Sequence, residues 1–251
     1  MKIEAFGLSD VGKKRSRNED SFLVSDDLNL YVVADGMGGH SGGEYASRLA
    51  VATIEEVLSS MNTDPEATVI SGVNSEETEF GDRLKYAIEV AGQKIFDQAL
   101  YDPDLKGMGT TITSALIDNN IAYVANVGDS RVYLAREGEK LKQLTQDHSL
   151  VSEQMQAGLI SEDDAKKHKL KNIITRSVGY QEEVEIDLKK VDVKENDKII
   201  LCSDGLTNMI DDEDINEIVL TNNVQTACRK LIKEANNNGG DDNITVVICN
   251  L

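Results

Sequence analysis

No apolar run in this 251-residue chain approaches the roughly 18 residues that a membrane-spanning helix needs. The first ten residues, MKIEAFGLSD, carry acids where a signal peptide requires a continuous apolar stretch. Both absences lead us to expect a soluble, cytoplasmic protein with no membrane partner. Cysteine is scarce too: Cys202, Cys228 and Cys249 are odd in number, widely spaced and each set in an apolar segment. That pattern argues against a disulfide or zinc framework and fits buried free thiols in a reducing compartment. Positive charge is the third shortage. Against 45 acidic residues stand 26 basic ones, a formal net charge of -19, so nucleic acid and anionic lipid are repelled.

What the chain does have is a hydrophobic content of 40%, enough to bury one sizeable core, and a single domain over residues 1–251 is expected. Two strands, "SFLVS" and "LYVVAD", flank "DDLN". Ala46, Leu49, Ala50, Thr53, Ile54, Val57, Leu58 and Met61 then recur at three and four residues, as on one helix face. A second helix carries Phe80, Leu84, Ile88, Ala91, Ile95 and Ala99, with "NTDPEATVISGVNSEE" a loop between the two. From "GTTITSALID" to "KLKQLT" apolar and polar residues alternate around "DNN", "GDS" and "REGE", which predicts an antiparallel meander in which Thr110 and Thr111 lie in a buried strand. Residues 146–176 are polar, a surface excursion. Strands return in "VEIDLKKVDV", "DKIILCSDG" and "NITVVICNL", with helical spacing in "DEDINEIVL" and "QTACRKLIKEA". Helices between strand-rich halves joined mostly by hairpins indicate an α+β layered domain, not a parallel doubly wound sheet.

The stretch "VVADGMGGHSGGEYAS" holds five glycines, yet it matches neither common phosphate loop. No register of Gly36, Gly38, Gly39, Gly42 and Gly43 gives the dinucleotide spacing. Gly38 and Gly43 have Walker spacing, but Glu44 and Tyr45 follow where Lys and Ser or Thr are required. What remains is a strand ending in Asp35 and a chain that turns sharply around it. Other aspartates also stand at the ends of apolar runs: Asp129, Asp204, and Asp241 with Asp242. Any one of them alone is an ordinary turn former. Together with Glu19 and Asp20 they form a repeated design, and convergent carboxylates would suit Mg²⁺ or Mn²⁺ through all-oxygen ligation. Arg15 and Arg17 precede "NED", and a guanidinium fork beside such a cluster matches phosphate. Either arginine could equally be a surface ion pair of little worth.

In order and spacing, "RSRNEDS", "VVADGMGGHSGGEYAS", "GMGTT", "NVGDSR", "LTQDHSLV", "NIITRSVG", "CSDGLTNM" and "GGDDNITVV" resemble the bacterial metal-dependent serine/threonine protein phosphatases of type 2C, from about Gly7 to the C-terminus. The resemblance implies a four-layer α-β-β-α sandwich, two central antiparallel sheets flanked by helices, with a dinuclear Mg²⁺ or Mn²⁺ centre at one end. It implies that Asp35 bridges two metals with the Gly36 carbonyl as a further ligand, that Asp204 and Asp242 bind one metal, and that Glu19 serves the other directly or through water. Asp20 would hold metal-bound water, Arg15 would bind substrate phosphate, Asp129 with Asp204 would hold a third, weaker ion, and Asn243 would support the ligands from behind. A bridging water or hydroxide would attack phosphorus in line, without a phosphoenzyme.

His40 is one candidate acid for the leaving alkoxide. Its position differs from the histidine of animal relatives, so a loop hydrogen-bonding role and proton donation by metal-bound water stand beside it. Residues 149–172 would form a flap beside the site, with His148 and His168 at its two sides in packing or capping roles. Substrates would be phosphorylated proteins, including a cognate serine/threonine kinase, and a monomer is the default. Two other classes compete: a pseudophosphatase using the fold as a binding module, which loss of metal acids would favour, and a metal-dependent nuclease, which the charge disfavours.

Overall fold

The computed structural model describes residues 2–38, 42–63, 80–161, 164–165, 168, 170 and 172–251. His40 and the expected loop from residue 64 onward lie outside these residues. In chain order the elements are strands β1 (Glu4–Asp10), β2 (Asp20–Ser25) and β3 (Leu30–Met37), and helices α1 (Gly42–Thr63) and α2 (Phe80–Tyr101). Then come β4 (Gly109–Thr110), β5 (Ile112–Asp118), β6 (Ile121–Val127), β7 (Arg131–Ala135), β8 (Lys142–Gln143) and α3 (Leu150–Gln156). The chain continues through β9 (Asp187–Asp192), β10 (Lys198–Cys202), α4 (Asp204–Thr207), α5 (Asp212–Leu220), α6 (Val224–Asn237) and β11 (Ile244–Asn250).

The strands form two antiparallel sheets, one ordered β1-β11-β10-β7-β8, the other β2-β3-β5-β6-β9 with β4 added on β3. Period-two alternation decides the layering. Along β3, Leu30, Val32 and Ala34 pack with α1 and α2, whereas Tyr31 and Val33 face the opposite sheet. Along β11, Ile244, Val246 and Ile248 pack with α5 and α6, and Val247 and Cys249 turn inward to the space between the sheets. Apolar residues on both strand faces therefore build a helix, sheet, sheet, helix sandwich. The helices supply matching stripes: Ala46, Ala50, Ile54, Leu58 and Met61 on α1, and Leu84, Ile88, Ala91 and Ile95 on α2.

Three features depart from the sequence reading. Residues 4–10 form an edge strand that the pattern did not announce, because Gly7 interrupts its alternation; a Cβ there would collide with the Phe22 ring. The expected meander is broken: β5 and β6 pair in one sheet and β7 and β8 in the other, so "GDS" is a crossing between sheets, not a hairpin turn. Strand β3 also runs past Asp35, with Gly36 and Met37 pairing Thr110 and Gly109 of β4, and Thr111 falls between β4 and β5.

Strand register gathers one set of ends. Asp20 faces Asp35 across β2 and β3, Ile112 faces Val127, Arg131 faces Cys202, and Cys202 faces Val246. The start of β2, the ends of β3, β6 and β10, and the starts of β7 and β11 therefore share one end of the sandwich.

Candidate active site

The acids singled out from sequence come to that end. Asp20 opens β2, Asp35 lies opposite, Asp129 sits in the crossing after β6, Asp204 begins α4, and Asp242 precedes β11. Asp20 joins the two sheets. Its Oδ2 accepts hydrogen bonds from Thr245 Oγ1 at 2.6 Å and Ser203 Oγ at 2.8 Å, both from the other sheet's strand ends. Ser203 stands at the N-cap of α4 but makes no side-chain cap bond, its hydroxyl being directed to Asp20. Thr245 Oγ1 also lies 2.7 Å from Ser9 Oγ. With the threonine proton donated to Asp20, Ser9 is the donor in that pair, and Asn18 Nδ2 donates to Ser9 in turn at 2.7 Å.

Asp35 is fixed through its backbone. Its N–H donates to Thr111 Oγ1 at 3.0 Å, and its carbonyl accepts from Thr111 N at 2.8 Å and Thr110 Oγ1 at 2.9 Å. Asn243 laces the loop before β2 to the strand end: Oδ1 accepts from Glu19 N at 2.8 Å, while Nδ2 donates to Val11 O and Arg17 O, both at 2.9 Å. Arg15 Nη2 donates to Asp242 Oδ2 at 2.8 Å, with the guanidinium half-exposed at the rim. The glycine stretch answers a packing requirement. A Cβ on Gly36 would strike the Gly43 carbonyl, and one on Gly43 would press on Glu19 Oε2 and Gly36. The start of α1 thus docks backbone to backbone beside Asp35.

Electrostatics follow from this crowding. Burial, opposed by the two hydroxyls and reinforced by Asp204 and Asp242, pushes the Asp20 carboxyl up to about 7. Burial with Asp204 and Asp147 nearby pushes Asp129 up to about 8. Asp35 is raised well above the carboxylate range by burial and then by Asp20, Asp204, Asp129 and Asp242. Glu19 is raised by desolvation, with Asp242 adding to it and Arg15 opposing. Burial alone would lower Arg15, yet Asp242, Glu19 and Asp35 hold it above its ordinary value.

Such a set fits a hard divalent cation. Asp20 Oδ1 and Asp129 Oδ1 are buried without a hydrogen-bond partner among the described residues, and the donors are all oxygen. Among those residues no three acid, His or Cys side chains are already drawn into a closed metal cage. Carboxylates repel until a cation holds them together. Sequence reasoning missed the hydroxyls of Thr245, Ser203 and Thr111, which direct the acids. Ser and Thr in strand sequence look like ordinary strand residues, and only the register reveals their partners. His40 lies outside the described residues.

The family model for protein phosphatase 2C matches residues 12–241. The serine/threonine phosphatase stp of Listeria monocytogenes is 39% identical over 246 residues, covering 96% of this chain and 92% of that protein. The crystal structure of the Mycobacterium tuberculosis serine/threonine phosphatase PstP/Ppp superposes with a TM-score of 0.88 at 34% identity, covering 99% of this chain and 98% of that one. The catalytic domain of PstP, solved with two manganese ions, superposes with a TM-score of 0.85 at 33% identity over 99% and 97% of the two chains. The chain belongs to the protein phosphatase 2C family and is a metal-dependent serine/threonine phosphoprotein phosphatase.

Proposed function

We propose that the chain is one catalytic domain that hydrolyses phosphoserine and phosphothreonine in proteins by direct in-line attack of water at a dinuclear Mg²⁺ or Mn²⁺ centre. The observation that carries this reading is the convergence of buried carboxylates from both sheets, with raised proton affinities and, at Asp20 and Asp129, oxygens without partners among the described residues, beside an arginine. Asp35, the Gly36 carbonyl, Asp204, Asp242 and Glu19 would hold the two core ions, and Asp129 with Asp204 a third, weaker one. When bound, the ions lower the pKa of water and offset charge on the phosphoryl oxygens.

The chain's own residues do the rest. Asp20, clamped on one oxygen by Thr245 and Ser203, presents the other to orient water. Arg15 binds the phosphate through its planar fork and screens its charge from the acids. Asn243 keeps the loop bearing Arg15 and Glu19 in place by three hydrogen bonds. His40 is a candidate proton donor to the leaving alkoxide on sequence grounds alone. The physiological substrates would include proteins modified by a cognate serine/threonine kinase, met by a cytoplasmic monomer whose flap covers about residues 149–172. Among the described residues no helix is long and apolar enough to cross a membrane.

Turnover of a phosphothreonine peptide, with and without Mn²⁺, tests the reading. Asp35→Asn and Asp204→Asn are each expected to reduce kcat/KM by more than about a hundredfold. Metal-independent turnover, or full activity in both variants, overturns the mechanism. An inert wild-type protein that still binds phosphoprotein would make it a pseudophosphatase.

A further inference from the structure

The loop between β1 and β2 reverses the sign of the surface. In a chain of net charge -19, residues 13–17, KKRSR, place four cations and no acid in five positions, and all five are exposed. The loop is firmly anchored. Its two ends are held by one side chain, Asn243 Nδ2 donating to Val11 O and to Arg17 O, both at 2.9 Å. Between them Lys13 N donates to Gly240 O at 2.8 Å, and Gly12 N donates to Asp10 Oδ1 at 2.9 Å. Gly12 has a φ of +77°, and a Cβ there would strike the Asp242 carbonyl, so the turn lies against the segment that carries Asp242.

These anchors give the cations different stations. Arg15 pairs with Asp242 Oδ2 at 2.8 Å at the rim of the site. Arg17, at the loop's other end, opposes with Arg15 the rise that burial imposes on Glu19. Lys14 meets the preceding acid, Asp241, at 2.7 Å, with both side chains half-exposed or more; such a pair is weak and exchanges with other anions. The stem of Lys13 lies beside Gly240, and its ammonium group has no partner among the described residues.

We propose that Lys13 and Lys14 form an anion subsite beside the phosphate position, selecting phosphorylated segments whose residues next to the phosphorylated one carry carboxylates or a second phosphate. This rests on the reading of Arg15 as the ligand of the substrate phosphate. An extended peptide advances about 3.3 Å per residue, and successive loop Cα atoms stand about 3.8 Å apart. Substrate residues one or two removed from a phosphate on Arg15 are therefore within reach of the long stems of Lys14 and Lys13. Elsewhere the acidic surface repels such a segment, and the two lysines offset that repulsion at the one place where the phosphate is correctly seated. Ammonium groups on flexible stems bind carboxylate and phosphate alike.

Four phosphothreonine peptides test the subsite on the full chain with Mn²⁺, dephosphorylation of the central threonine being read by mass spectrometry. The two positions on each side of that threonine hold glutamine, glutamate or lysine; the fourth peptide is the glutamine one with a second phosphothreonine two residues away. For the wild type, kcat/KM is expected to be about fivefold higher with glutamate than with glutamine and lowest with lysine, the spread closing as salt is raised to about 0.5 M. The double variant Lys13→Glu, Lys14→Glu should invert that order, and Lys13→Gln, Lys14→Gln should flatten it. Ratios taken between peptides on one variant cancel any loss of folded enzyme. A preference confined to the second phosphate, or confined to glutamate, identifies which anion the lysines take. Equal kcat/KM for the glutamine, glutamate and doubly phosphorylated peptides, or an order that survives the charge reversal, overturns the subsite. Arg15→Ala is the reference and should lose most of its activity on the glutamine peptide; if it does not, the phosphate assignment falls instead.

Discussion

Asp20 divides its two carboxylate oxygens between different tasks, one held by hydroxyls of the opposite sheet and one left without a partner among the described residues. The hydroxyl bonds favour the ionised form, against burial and the neighbouring acids. Thr245→Val should therefore raise the carboxyl further and move the acid limb of the pH–rate profile to higher pH, with a stability loss of about 1–3 kcal/mol. An unmoved acid limb would show that Asp20 does not govern the rate. The three cysteines illustrate the opposite case, side chains that are inert by placement. All are free and buried; burial pushes Cys202 and Cys228 up to about 12 and holds Cys249 well above the ordinary thiol value. Negligible thiolate at pH 8 predicts that the native protein resists iodoacetamide while the denatured chain takes up label at all three positions, as mass spectrometry would read.

At the scale of elements, the glycines after β3 decide whether α1 can meet the site. Gly43→Ala places a methyl group against Glu19 Oε2 and the Gly36 backbone, so it should destabilise the fold by about 1–3 kcal/mol and raise the Mn²⁺ concentration needed for half-maximal rate. An unchanged melting temperature would mean that the helix start can shift without cost. This is also the scale at which legibility in the sequence divides. The acids at strand ends were visible because each borders an apolar run, and α1 and α2 because their stripes are long and regular. Strand β1 was not, since Gly7 makes room for Phe22, a contact from another strand that no local pattern encodes. The crossing at Gly128 was misread as a hairpin turn because a turn signal fixes where the chain bends, not which sheet receives it. The role of Thr245 required knowing that β11 lies across from β1 and β10.

For the whole molecule, the proposed role of the clustered acids as cation ligands would make the fold respond to protons and cations together. Asp20 and Asp129 bind protons in the folded state up to about 7 and about 8, whereas in the unfolded chain they release them near an ordinary carboxylate value of about 4. Between those limits the folded, metal-free protein holds more protons than the unfolded one, and its stability falls as pH rises. The contribution is complete below about pH 4 and gone above about pH 8. Asp197, held below its usual range by Arg136 and the Lys194 backbone against its own burial, works with the opposite sign, but its stabilisation is lost only as pH falls below the carboxylate range. It leaves the window from pH 5 to 8 to the site acids. Divalent cations held by these acids, as proposed, would compete with those protons, so Mn²⁺ should raise the melting temperature more at pH 8 than at pH 6, and proton release on binding should appear as a buffer-dependent calorimetric enthalpy. Asp35→Asn removes a buried carboxyl that at pH 8 must either hold a proton or carry an unfavourable charge, so it should raise metal-free stability at pH 8 while reducing the Mn²⁺-induced shift. Thermal melts at pH 6 and pH 8, each with and without Mn²⁺, measure the stability changes. A Mn²⁺ shift equal at the two pH values would show that the acids of this site are not what the cations titrate.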